Sequence, residues 1–136
     1  MIIGETMELK VKASDENMQT VNDFIHSVIP SECDEMILNQ IDLAVEEIFV
    51  NIAHYSGSAE AIIKCSLENN KLEISFSDKG IAFNPLARPD PDLTLSAEER
   101  KIGGLGIYLT KKFMDTVSYE YKDGMNCLRI IKSLQI

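Results

Sequence analysis

The stretch Leu72-Glu73-Ile74-Ser75-Phe76-Ser77-Asp78-Lys79-Gly80 decides the fold. Its first residues alternate between apolar and polar, and this two-residue period predicts a β-strand with one buried face. Asp78 ends that strand, where a carboxylate can reach a crevice and accept a hydrogen bond from an exocyclic amine. Gly80 permits a backbone turn that a side chain would obstruct. For this motif alone, a solvated turn at a strand end is the commoner interpretation.

The patterns on either side of this stretch indicate further strands and helices. Turns are expected at Asn69-Asn70 and Asp123-Gly124, and Ser14 is the residue type of a helix N-cap. No period lasts from residue 80 to residue 104, and a loop of this length in a compact domain is typical of a lid. Strands are predicted over residues 7–12, 61–67, 72–76, 117–122 and 125–132, and helices over residues 18–28, 31–55 and 105–114.

This order of elements predicts an α+β fold in the form of a two-layer α/β sandwich. The sheet is expected to be mixed and mostly antiparallel, because hairpins join most of its strands, and the helices are expected on one face. At 136 residues the chain is interpreted as a single domain over residues 1–136.

Composition and charge exclude several classes of protein. A hydrophobic fraction of 45% argues against disorder, and no apolar run approaches the roughly 20 residues of a membrane span, so no membrane partner is expected. The first residues lack the features of a signal peptide. The formal net charge of −9 argues against direct nucleic-acid binding. Three widely spaced cysteines fit reduced thiols in the cytoplasm.

Two further motifs carry candidate chemistry. Glu47 and Asn51 lie four residues apart at the edge of the apolar stripe of the second helix, hence on one face. Taken alone, the two residues more commonly form a solvated helix edge, but Asn is a poor residue for a helix interior, which invites a role. Gly103-Gly104-Leu105-Gly106 opens the third helix, where backbone amides and the helix dipole can hold an anion. The alternative for these glycines is a hinge, and the motif is neither a Walker loop nor a Rossmann fingerprint.

The three motifs in this order resemble the sequence boxes of the gyrase, Hsp90, histidine kinase and MutL superfamily, which has the Bergerat ATP-binding fold. Glu47-x-x-x-Asn51 looks like its N-box, Asp78-x-Gly80 its first glycine box, and Gly103-Gly104-Leu105-Gly106 its second. More narrowly, the chain is similar to the small anti-sigma-factor serine kinases of bacterial partner-switching systems. That similarity includes Asp78-Lys79-Gly80-Ile81-Ala82-Phe83-Asn84-Pro85 and the closing Tyr121-Lys122-Asp123-Gly124-Met125-Asn126.

The resemblance implies ATP and Mg²⁺ as cofactors and gives each motif residue a role. Glu47 would be the catalytic general base, and Asn51 would bind the nucleotide and give its side-chain oxygen to Mg²⁺. Asp78 would accept the adenine amino group, and Gly80 would let the base approach. Further nucleotide contacts would come from Phe83, Gly103, Gly104, Leu105 and Gly106. From charge and position, Arg88, Arg100 or Lys101 is a candidate to reach the transferred phosphoryl group.

The function implied is a serine/threonine protein kinase that acts as an anti-sigma factor. It would phosphorylate a small anti-anti-sigma partner on serine and switch between that partner and a sigma factor. The alternative is a non-catalytic ATP-binding interaction module. A homodimer through the first helix and N-terminal strand is a further expectation. The chain differs from the family pattern at His54, Asn84 and Arg129, the last standing where related kinases often carry a threonine near the adenine.

Overall fold

The computed structural model describes residues 6–87 and 105–135, and their helices and strands follow the predicted order. Short 3₁₀ turns cover Asp15–Asn17 and Pro85–Ala87, and a π-helical turn covers Ile52–Ser56. The strands and helices are β1 Met7–Lys12, α1 Met18–Val28, α2 Glu35–Asn51, β2 Glu60–Glu68, β3 Lys71–Asp78, α3 Leu105–Phe113, β4 Thr116–Lys122 and β5 Met125–Ser133.

The five described strands form one sheet in the order β1-β2-β3-β5-β4, and every pair in it is antiparallel. The predicted α+β architecture is confirmed, although the expected mixed sheet is purely antiparallel over these strands. β3 pairs with β5, not with the next strand in sequence, and this register sets Asp78 opposite Asn126. The two polar residues therefore lie side by side on two inner strands, at one end of the sheet. β1 is an edge strand, and self-association through it stays a prediction.

One face of the sheet packs against the helices and forms the core. On β3 every second residue from Leu72 onwards is buried, as the two-residue period predicted. The helices meet this face with apolar stripes that include the fully buried Val45 and Phe49 of α2 and Ile25 of α1. α3 lies against α2. The expected two-layer arrangement is confirmed, and it places the end of β3 next to the end of α2.

The hairpin turns follow the predicted chemistry. Asn69 and Asn70 have φ values of 52° and 63°, and Asp123 and Gly124 have values of 55° and 75°. Two consecutive left-handed residues make a type I′ turn, which matches the twist of the flanking strands and favours Asn, Asp and Gly. Both turns were predicted from these dipeptides.

Two helix starts differ from prediction. The second helix begins at Glu35, not at residue 31, because Cys33 N donates to Pro30 O and closes a turn before an extended Asp34. Ser14 does not cap α1 with its side chain. It precedes the 3₁₀ turn, and its carbonyl accepts from Asn17 N at 3.0 Å.

The described residues contain no disulfide. Cys33, Cys65 and Cys127 are all free. Burial raises the pKa of the Cys65 thiol to about 12, so that thiol stays protonated and behaves as a small apolar core residue. Within residues 6–87 and 105–135, none of the helices combines the length and apolar character that crossing a bilayer demands.

Replacing Asn69 by valine is expected to lower the free energy of unfolding by about 1–2 kcal/mol, because a β-branched residue resists a φ of 52°. Asn69→Gly is the matched control and is expected to stay close to the wild type. Urea denaturation followed by circular dichroism measures both. Equal midpoints for the two variants would contradict a left-handed turn at this position.

Candidate functional site

A cleft lies between the end of α2 and the ends of β3 and β5. It encloses about 370 Å³ when its open mouth is counted. Apolar side chains form most of the wall, and the polar residues Asn51, Ser56, Asp78 and Asn126 stand among them. The lining residues are Ile48, Asn51, Ile52, Ser56, Phe76, Asp78, Phe83, Pro85, Tyr119, Asn126 and Leu128. An apolar cleft with a few placed polar groups is the usual form of a small-molecule site.

Asp78 is the most buried carboxylate of the cleft, with 3% of its surface exposed. It continues the buried stripe of β3, so the strand itself directs its side chain toward the helices. Oδ1 accepts from Gly80 N at 2.8 Å and from Asn126 Nδ2 at 3.1 Å. Two donors on one oxygen offset much of the cost of burying the charge.

Asn126 and Tyr119 were missed by the sequence analysis. Asn126 Oδ1 accepts a hydrogen bond from the Tyr119 hydroxyl and a second bond from Phe83 N at 3.0 Å. Burial raises the pKa of Tyr119, the bond from Phe83 N opposes this, and the negative charge of Asp78 raises it further, so the phenol stays protonated. A signal was present: Asn126 ends the apolar stripe of β5 as Asp78 ends that of β3.

Gly80 is held against the π-helical turn that follows α2. A Cβ added to Gly80 would lie 2.0 Å from the Ser56 carbonyl oxygen, and Ile81 N donates to that same oxygen at 2.8 Å. The left-handed Gly57, with φ 74°, ends the helical segment directly after Ser56. The predicted need for glycine at position 80 therefore has a steric cause.

Glu47 and Asn51 occupy neighbouring positions along α2, as their spacing predicted. Asn51 lines the cleft. Glu47 lies toward α3, where a Cβ added to Gly106 would come within 2.2 Å of the Glu47 carboxylate. The absence of a side chain at Gly106 thus lets the carboxylate approach the first turn of α3. The two residues lie about 6 Å apart along the helix axis.

An aromatic pair stands at the mouth of the cleft. The rings of Phe83 and Tyr55 stack with their centroids 5.8 Å apart and an interplanar angle of 29°. Phe83 N donates to the Tyr119 hydroxyl at 3.2 Å as well as to Asn126. Tyr55 is more than half exposed, so the pair offers a flat apolar surface beside Asp78.

Several predicted residues fall outside the described part of the chain. Leu105 begins α3 and is exposed, and Gly106 follows it in the first turn. The predicted residues that lie outside the described part are Gly103, Gly104, those of the lid, and the basic candidates Arg88, Arg100 and Lys101.

The three departures from the family pattern all have partners away from the cleft wall. His54 Nε2 lies 2.6 Å from Asp15 Oδ2, and Asn84 Oδ1 accepts from Leu86 N. Arg129 was expected near the adenine, but the structure places it away from the cleft. It lies on the opposite face of the sheet, with Nε 3.8 Å from Glu73 Oε1. The strand residue beside Asp78 is instead Asn126.

The geometry agrees with a comparison to protein families. The model of the histidine kinase-like ATPase domain matches residues 11–132. The chain belongs to this ATPase family. The resemblance drawn from the three motifs is thereby confirmed, and ATP is the nucleotide that the family uses.

Similar curated proteins carry the names of serine kinases. The histidine kinase-like ATPase domain described here is 27% identical to the serine/threonine-protein kinase BtrW of Bordetella bronchiseptica, over 93% of this chain and 91% of that protein. It is 29% identical to the serine-protein kinase RsbW of Listeria monocytogenes, over 65% of this chain and 62% of that protein.

Solved structures show the same fold at low identity. One contains the RsbU and RsbW domains of a Mycobacterium tuberculosis protein, with a TM-score of 0.67 and 12% identity over 96% of this chain and 32% of that one. Another is the Acinetobacter baumannii histidine kinase AdeS, with a TM-score of 0.55 and 13% identity over 96% of this chain and 68% of that one.

Gly80→Ala is expected to lower the free energy of unfolding by about 1–3 kcal/mol, because the new methyl group collides with the Ser56 carbonyl. The neighbouring exposed residue gives the control, since Lys79→Ala adds no atom near that carbonyl. Urea denaturation compares the two. A Gly80→Ala variant as stable as Lys79→Ala would show that the close approach is not a constraint.

Proposed function

We propose that this chain is an ATP- and Mg²⁺-dependent protein serine kinase that phosphorylates a small anti-anti-sigma-type protein. The observation that carries the proposal is the position of Glu47: its carboxylate lies at the start of α3, one helical turn from a cleft residue, Asn51. Asp78 lines the same cleft as Asn51 and is the last residue of the buried stripe on β3. A base beside α3 and an amine acceptor at the end of β3 fit a nucleotide whose phosphates run toward α3.

The purine end is formed by Asp78 and the aromatic pair. Asp78 would accept the exocyclic amine of adenine, and Phe83 would cover one edge of the base. The apolar wall lowers the local dielectric at this end, which strengthens the hydrogen bond to the carboxylate. Gly80 keeps the backbone beside Asp78 close to the Ser56 carbonyl, so no side chain narrows this part of the cleft.

In this proposal the phosphates bind at the first turn of α3, together with the glycines that precede it in the sequence. The first turn of α3 offers backbone amides and the positive end of the helix dipole, which suit a polyanion on a chain of net charge −9. We assign Gly103, Gly104, Leu105 and Gly106 to this end.

The residues present fit a magnesium ion held mainly by its nucleotide. Among the described residues, no group of three or more His, Cys, Asp or Glu could hold a metal by itself. Mg²⁺ commonly takes only one or two protein oxygens and completes its shell with phosphates and water, so the Asn51 side chain suffices. When bound, the ion would neutralise charge on the transferring phosphoryl group.

Glu47 would act as the general base. Its carboxylate takes the proton from the attacking serine hydroxyl, and the serine oxygen forms a bond to the γ-phosphorus. The bond from the γ-phosphorus to the bridging oxygen breaks, and ADP leaves with that electron pair. Gly106 has no side chain and so leaves room for this carboxylate beside the first turn of α3.

The phosphoacceptor is proposed to be a serine of a separate protein. A histidine kinase needs a phosphoacceptor histidine, and no histidine stands among the described residues that line the cleft: His26 lies beside Asp42 and His54 beside Asp15. BtrW and RsbW are named serine kinases, which supports the choice of serine. We further propose a cytoplasmic protein that exchanges this partner for a sigma factor, as the resemblance implies.

Asp78→Asn and Asn51→Ala are each expected to weaken ATP binding about tenfold or more, as loss of a hydrogen bond to a charged group predicts. Asp78→Asn should weaken ATP binding both with and without Mg²⁺. Asn51→Ala should abolish only the additional affinity for ATP that Mg²⁺ gives. Calorimetry with and without Mg²⁺ measures both. Arg129→Gln, on the opposite face, is the control and should bind as the wild type does. Absence of ATP binding by the wild type would overturn the proposal.

Glu47→Gln is expected to slow serine phosphorylation about 10²–10⁴-fold while ATP affinity changes less than about threefold, because only the proton acceptor is lost. The assay follows labelled phosphate from ATP into purified anti-anti-sigma-type proteins. Glu46→Gln is the matched control, because Glu46 faces α1, where it accepts a hydrogen bond from Asn22. ATP binding by the wild type without any transfer would instead favour the non-catalytic interaction module.

A further inference from the structure

Asn126 is a buried side chain whose hydrogen-bonding capacity is fully used. Its Nδ2 donates to Asp78 Oδ1 at 3.1 Å and to Ile81 O at 2.8 Å. Its Oδ1 accepts from Phe83 N at 3.0 Å and from the Tyr119 hydroxyl. An asparagine side chain has two N–H donors and two acceptor lone pairs, so nothing remains for a ligand. Asn126 lines the cleft but has to act through its neighbours.

The most important of these neighbours is Asp78. Gly80 N and Asn126 Nδ2 both donate to Oδ1, and no donor in residues 6–87 or 105–135 reaches Oδ2. Oδ2 is also not among the buried unpaired atoms of these residues, so it keeps access to the cleft. The two donors on Oδ1 fix the carboxylate plane and leave Oδ2 for an exocyclic amine.

The same asparagine holds the loop that follows β3. Its bonds to Ile81 O and Phe83 N fix the backbone on either side of Ala82, and the Phe83 ring forms part of the cleft wall. The carboxylate that selects the base and the aromatic ring beside it therefore share one support on β5.

We propose that Asn126 is the positioning residue that makes this site discriminate purines by their 6-amino group. The inference rests on the ATP site proposed above, but it does not require kinase activity. Without Asn126, Asp78 Oδ1 keeps only the Gly80 amide, and the carboxylate can rotate away from the base. Phe83 N keeps the Tyr119 hydroxyl as a second acceptor at 3.2 Å, so the aromatic wall is less affected.

The test compares two nucleotides that differ only in this amine: ATP and purine riboside triphosphate, which has hydrogen in place of the 6-amino group. Calorimetry gives the dissociation constant of each with Mg²⁺. The wild type is expected to prefer ATP about tenfold or more. Asn126→Ala should reduce that ratio to less than about threefold, chiefly by weakening ATP. Tyr119→Phe, which keeps both Nδ2 bonds, and Arg129→Gln, on the other face of β5, should retain most of the preference.

A second variant gives a signature that a purely structural role would not produce. Asn126→Asp keeps the shape and the acceptor oxygens but places a carboxyl group beside Asp78, with Tyr119 the other titratable group that faces it. The preference for ATP should be lost at pH 8 and return toward pH 5.5, as the introduced group gains a proton and can again donate to Asp78. Titration of the triphosphate affects both nucleotides alike and cancels in the ratio.

The outcomes separate this inference from the function on which it rests. Equal weakening of both nucleotides by Asn126→Ala, or an Asn126→Asp ratio that does not change with pH, would overturn the role of Asn126 alone. A wild type that binds neither nucleotide would overturn the ATP site and this inference together. If a urea titration shows that Asn126→Ala is unfolded, the role of Asn126 is decided by Asn126→Asp, from its ratio of the two dissociation constants at each pH.

Discussion

A carboxylate that is almost wholly buried has to be hydrogen-bonded, and this requirement on Asp78 organises the cleft. Gly80 supplies one donor from the turn that follows β3, and Asn126 supplies another from the neighbouring strand. Each donor brings a constraint of its own. The turn at Gly80 fits only because no side chain stands against the Ser56 carbonyl, and Asn126 is held in turn by Tyr119. One buried charge thus links the end of α2, the loop after β3 and the register of β5.

The opposite end of the cleft has a different electrostatic problem. The chain carries a net charge of −9, and Glu47 adds a negative group close to the first turn of α3. A triphosphate can bind beside Glu47 only if its negative charge is neutralised locally, by oriented backbone amides and by a divalent cation. In the proposed function, the base and the metal requirement therefore belong together. In that proposal Asn51 would serve the ion, and Glu47 would be the base.

The sequence predicted the architecture well because the fold follows from local periods and turns. The alternation through Leu72 and Phe76 and the dipeptides Asn69-Asn70 and Asp123-Gly124 each act within a few residues. The predicted start of α2 was wrong because Cys33 and Pro30 close a turn that replaces the first turn of the expected helix. Amino-acid composition does not reveal such a turn. Of the candidate site, Asn51, Asp78 and Phe83 do line one cleft, whereas their roles stay predictions. Arg129 was misplaced because the face on which a strand residue lies depends on register, and a shift by an odd number of residues reverses it.

The pairing of β3 with β5 brings together residues that lie 48 positions apart. The entropy of closing such a long connection grows only with the logarithm of its length, so that doubling it costs roughly 0.6 kcal/mol. Lengthening a surface turn of this connection is therefore cheap in stability, provided that the buried residues of α3 and the register of the two strands are kept. A longer turn can thus offer new surface to a protein partner while Asp78 and Asn126 stay paired across the two strands.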